Sequence, residues 1–107
     1  MALIVDTASA VLQALMDGDP AYGKELIEKV AKRTGGMVVL LQGRVYPVLR
    51  ELEADGYVRS WEGEPLPERG GRRRRYYEIT ALGRREAVKD RRAVAALFGA
   101  LVEQPNE

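Results

Sequence analysis

The chain has 107 residues, 46% apolar and 31% charged, with no cysteine, no histidine and a formal net charge of +1. That length fits one compact domain with an accessory element. The missing residue types remove disulfides, thiol nucleophiles, imidazole bases and the usual zinc ligands, so no enzymatic activity, metal or cofactor is expected.

Ala8, Val11, Leu12 and Leu15 recur at helical spacing behind Asp6 or Thr7, which predicts a first helix stopped by Gly18. Asp19-Pro20 reads as an N-cap followed by a proline at the first position of a second helix. Tyr22, Leu26, Ile27 and Val30 give that helix a buried stripe, and its end falls near Thr34, ahead of Gly35-Gly36. Met37 to Leu41 is short and wholly apolar, which leaves helix and buried strand both open. A third helix then places Val45, Val48, Leu49 and Leu52 on one face. Gly43, Pro47, Arg50 and Glu51 lie opposite, with Arg44 and Tyr46 on the flanks. Pro47 removes an amide donor and pushes on the carbonyl four residues back, so a bent or loosely wound first turn is expected.

Tyr57 to Glu62 carries β-type residues in partial alternation, and Arg75 to Ile79 answers it across a hairpin. Between them, the two prolines and three glycines of Gly63 to Gly71 predict a mobile loop, the wing. Tyr77 and Ile79 are expected in the core and Trp61 in a structural position beside the wing. Thr80 is placed to cap a final helix from Ala81, whose Val94, Leu97, Phe98 and Leu101 stand at i, i+3, i+4 and i+7. At ~1.5 Å per residue, a helix from Ala81 to Val102 is about 33 Å long, more than a small three-helix core covers. Its apolar stripe is therefore expected to pair with a second subunit. Gln104 to Glu107 read as a frayed tail.

The small net charge hides an asymmetry. From Arg69 to Arg92 there are ten basic and three acidic residues, a local +7, whereas residues 1–68 hold seven basic and eleven acidic ones. Five arginines fall between Arg69 and Arg75 alone, and a positive field focused in this way attracts polyanions. An apolar-backed helix followed by a cationic hairpin is the equipment of a winged helix that grips nucleic acid. The expected fold class is mainly α with a small β-hairpin. It comprises a winged helix-turn-helix DNA-binding domain over residues 1–80, then a long C-terminal dimerisation helix and tail over 81–107. No apolar run approaches the roughly 18 residues needed to span a bilayer, and no basic segment precedes a long apolar one. No membrane association and a cytoplasmic location are expected.

Three segments carry a resemblance to a known family: Tyr22-Gly23-Lys24-Glu25-Leu26, the stretch from Gly43 to Val58, and Gly71 to Gly83. In these the chain resembles the PadR family of bacterial transcription factors, in its shorter branch with a single C-terminal helix. The resemblance implies that the third helix enters the major groove of double-stranded DNA, that the wing contacts backbone or minor groove, and that the last helix builds a homodimer. Many members of that family are repressors released by a small, often aromatic or planar ligand, so a small apolar or aromatic effector is an implied partner. Two positions depart from the family pattern. A Ser or Thr five residues before the tyrosine is here Leu41, and a Thr two residues before it is here Arg44.

DNA contact is accordingly expected from Gln42, Gly43, Arg44, Tyr46 and Arg50 on the third helix, and from Arg69, Arg72, Arg73 and Arg74 in the wing. Strand alternation sends neighbouring arginines to opposite faces, so two or three wing arginines are expected on one duplex. Tyr46 suits a phosphate hydrogen bond or ring packing against the core equally well. Val5, Leu12 and Phe98 are candidates for lining an effector pocket between subunits. The competing reading is a winged-helix module that binds RNA or a protein partner without operator specificity. An enzyme is the weakest, because Ser9 and Ser60 are the only serines and no base accompanies them.

Overall fold

The computed structural model describes residues 6–101, apart from the side chains of residues 69 and 98–101. The elements in chain order are α1 (Thr7–Ala14), β1 (Ala21–Tyr22), α2 (Gly23–Arg33), α3 (Gln42–Ala54), β2 (Val58–Pro65), a 3-10 turn (Pro67–Arg69), β3 (Arg73–Ile79) and α4 (Ala81–Leu101). β3 is the centre of a three-stranded antiparallel sheet in the order β1-β3-β2. Helices α1, α2 and α3 pack together, with α2 against β1 and α3 against β2. The largest fully buried side chains, Val11, Leu15, Leu26, Val45, Leu49 and Val58, come from both layers. Burying each such side chain contributes roughly 1.5–3 kcal/mol, and no polar or charged residue shares this interior among the described residues.

The third helix buries the stripe its spacing predicts, with Val45 and Leu49 at 0% exposure. It also runs through Pro47 without interruption. The carbonyl that loses its donor to Pro47 belongs to Gly43, which is exposed and within reach of water. Tyr77 and Ile79 lie in the core as expected.

Three expectations need correction. Asp19-Pro20 does not start α2. Ala21 and Tyr22 instead pair with Tyr77 and Tyr76 of β3, and Tyr22, still extended at φ −98° and ψ 167°, is the N-cap. Sheet pairing satisfies the backbone there, which the capping signal could not anticipate. Second, Gly63 to Gly71 is not one open loop. β2 continues to Pro65, because Gly63 lets the strand pass beneath Tyr76, where a Cβ would come within 2.6 Å of Cε2. A register irregularity between Glu62 and Pro65 absorbs the proline, and Leu66 N–H to Arg72 carbonyl (3.2 Å) and Gly71 N–H to Leu66 carbonyl (3.0 Å) close the tip. Third, Met37 to Leu41 is neither helix nor strand but an irregular connector that bends at Met37 and Val38. It is pinned where Val38 N–H donates to Thr34 Oγ1 at 3.0 Å.

Thr80 caps α4 as predicted, accepting the Gly83 N–H at 3.0 Å while donating to the Gly56 carbonyl at 2.6 Å. Gly83 itself sits so tightly on the Tyr57 carbonyl that a Cβ would overlap it. The first half of α4 is docked: Gln13 donates to the Ala87 carbonyl (2.8 Å), Arg84 to Met16 (3.1 Å) and Arg91 to the Gln13 side chain (2.6 Å). Beyond Asp90 every described side chain is exposed, Val94 at 44% and Leu97 at 63%. The molecule is correspondingly elongated, 60 × 30 × 21 Å. The Phe98 and Leu101 side chains, and Val5, lie outside the described residues.

Candidate nucleic-acid interface

The two cationic elements are held by different devices. Helix α3 has Leu41 as its N-cap, whose side chain makes no capping hydrogen bond. Its carbonyl alone closes the first turn, accepting from Arg44 (2.9 Å) and Val45 (3.0 Å). Gln42, Gly43, Arg44, Pro47 and Arg50 are all exposed, and a Cβ built on Gly43 meets nothing within 4 Å. Tyr46, at 36% exposure, lays its ring across Gly23 at the start of α2, where any Cβ would strike it. This contact explains why a glycine follows Tyr22, and it favours packing for the ring while leaving the residue partly in solvent.

Charge is graded along α3. From Gly35 to Arg50 the chain carries no Asp or Glu, whereas Glu51, Glu53 and Asp55 crowd the other end. The amide donors of a helix's first turn lack intrahelical partners and carry the positive end of its dipole. Both effects turn the same end of α3 toward anions.

In the wing, alternation along β3 sets Arg73, Arg75, Tyr77 and Ile79 on one side and Arg74, Tyr76 and Glu78 on the other. Arg73 donates to the Gly63 carbonyl (3.0 Å), and Arg75 to Ser60 Oγ (2.9 Å) with Glu62 at 3.5 Å. Arg74 lies 4.3 Å from the Tyr22 ring centroid, and its shielded Nε has no hydrogen-bond partner among the described residues. A hydrogen bond to Tyr76 pushes the Arg74 pKa above the usual arginine value, so its charge is secure at any working pH. Arg72 is exposed at the wing tip, and the side chain expected at Arg69 lies outside the described residues.

Sequence reasoning did not find the row of aromatics on the outer face of the sheet. Tyr22 meets Tyr76 edge-on at 5.7 Å between ring centroids, and Tyr76 stacks on Trp61 at 6.4 Å. Arg59 lies over Trp61 at 5.6 Å and pairs with Glu78 across the strands. Trp61 is thus structural but on the outside, at 38% exposure. A two-residue strand between a proline and a glycine is too short for alternation to reveal, so the partner of Arg74 stayed hidden. Leu12, a candidate for an effector pocket, is a core residue at 4% exposure.

Three helices, a sheet-borne wing and an exposed, carboxylate-free helix start define the winged helix-turn-helix class of DNA-binding proteins. The profile of the transcriptional regulator PadR-like family matches residues 11–89, and the chain belongs to that family. Its members are transcriptional regulators, not enzymes. A transcriptional regulator from Clostridium thermocellum superposes with a TM-score of 0.76 at 24% identity, covering 92% of each chain, which attests the fold. A PadR family transcriptional regulator from Eggerthella lenta gives a TM-score of 0.67 at 26% identity over 90% of this chain and 83% of its own. An uncharacterized protein from Lysinibacillus sphaericus is 26% identical over 98 residues, 89% of this chain and 86% of its own length. Among the described residues no helix is long and apolar enough to cross a membrane.

Proposed function

We propose that the chain is a cytoplasmic, homodimeric repressor that binds a two-fold symmetric operator. Residues 1–80 form the DNA-binding unit and residues 81–107 the dimerisation unit. Gln42, Gly43 and Arg44 address base edges from the N-terminal end of α3, with Arg50 and Tyr46 toward the flanking backbone. Arg72, Arg73 and Arg74, assisted by Arg69, address phosphates or the adjacent minor groove. The observation that carries this reading is the start of α3, which is exposed, cationic and free of carboxylates beside an arginine-rich wing. Val94 and Leu97, exposed on the undocked half of α4, support a second subunit there, and Phe98 and Leu101 extend the same i, i+3, i+4, i+7 spacing in the sequence. An apolar or aromatic effector bound between subunits belongs to the same reading.

The test is selection of bound sequences from a random duplex library at two salt concentrations, together with the solution mass. An enriched inverted repeat with half-site centres about 34 Å apart, or a multiple of that, is expected from a dimer. Retention of duplex without enrichment, collapsing at higher salt, would reduce the arginines to general polyanion affinity. A monomeric mass at micromolar concentration would remove the dimer.

A further inference from the structure

Met37, Val39 and Leu41 are exposed by 49%, 60% and 65%, alternating with the buried Val38 and Leu40. The connector therefore leaves three apolar side chains exposed immediately before the end of α3 that bears Gln42, Gly43 and Arg44. Leu41 is the most exposed of the large apolar side chains described, ahead even of Leu97 on the undocked half of α4. It also occupies an N-cap, where a leucine gives the helix no side-chain hydrogen bond. A leucine left mostly in solvent at a position where it cannot cap is open to an external contact.

The surroundings select the kind of contact. No carboxylate occurs from Gly35 to Arg50, and Arg44 and Arg50 are exposed, so the surface complements a polyanion. Among the base-edge groups that a duplex presents in its major groove, the 5-methyl of thymine is the apolar one. Resting on the reading that the start of α3 enters that groove, we propose that Leu41 is a specificity-determining residue that seats a thymine methyl in each half-site.

The probe is the operator duplex recovered by selection, with each half-site thymine replaced in turn by deoxyuridine, which removes only the methyl. Wild-type protein is expected to lose affinity about fourfold per methyl at one position of the half-site, the worth of one buried methyl-sized group. Leu41→Ser is expected to bind the thymine and uracil duplexes alike at that position. The variant removes no buried side chain and supplies a capping hydroxyl, so its melting temperature should not fall, which separates lost contact from lost fold. An enriched operator that lacks half-site thymine, is indifferent to uracil, or shows the same uracil penalty with Leu41→Ser would overturn the assignment and leave groove binding standing. Failure to enrich any sequence would overturn both.

Discussion

On α3, Arg44 and Arg50 stand exposed with no hydrogen-bond or ion-pair partner among the described residues, on a helix fixed entirely from its buried side. In the wing, Arg73, Arg74, Arg75 and Arg59 are each engaged by a carbonyl, a ring, a hydroxyl or a carboxylate of the protein. The same residue type thus does two kinds of work. An α3 arginine has no duty in holding the fold, and its full hydrogen-bonding capacity is open to a ligand. A wing arginine must exchange or share an internal partner before it meets a phosphate, so its net gain on binding is smaller and its removal is felt by the free protein as well.

The largest effect is expected at Arg44. Arg44→Ala should weaken operator binding by about 1–3 kcal/mol and relax the preference at one base position, with an unchanged melting temperature. Titration of operator variants and a thermal melt would check both halves, and a lowered melting temperature would show that α3 shares the wing's double duty. Arg74→Ala should flatten the log-log salt dependence of binding by about one unit and also lower the melting temperature, since Tyr22 and Tyr76 lose their cation. A shift in the salt slope with no change in melting would erase the contrast.

Asp17 supplies a smaller effect, remote from DNA contact. The Lys29 ammonium, hydrogen-bonded to it at 2.5 Å, holds its carboxyl below the ordinary range, helped by the Asp19 N–H and Arg33 against a desolvation penalty. A depressed carboxyl pKa stabilises the fold above the unfolded value of about 4, and that contribution disappears as pH falls through the folded value. Asp17→Asn should therefore cost less than about 1 kcal/mol near neutral pH, given the exposure of the pair, and progressively less as pH falls through the folded value. Denaturant titrations of both proteins at neutral pH and at successively lower pH measure the difference.

Much of this was legible in the sequence because it depends on local periodicity. The α3 stripe, the Thr80 cap, the glycine stop after Thr34 and the core role of Tyr77 and Ile79 each involve residues within a turn or two of each other or a strand's own alternation. What escaped depends on contacts distant in the chain. Ala21 and Tyr22 become a strand only because β3 arrives more than fifty residues later. Gly23 is required by Tyr46, and Gly63 by Tyr76. The wing arginines were visible as a cluster, but their engagement with Tyr22, Gly63 and Ser60 was not, since charge counting reports no geometry.

Thr80 is the single residue between the end of β3 and the start of α4. Its two hydrogen bonds, together with the pressure of Gly83 on the Tyr57 carbonyl, weld the central wing strand to the long helix with no slack between them. The helix and the central wing strand therefore share one joint. The turns that follow, as far as Arg91, are held to α1 and the Met16 carbonyl as well, so the bearing of the outer half of α4 is set by the root of the wing and the helical core together.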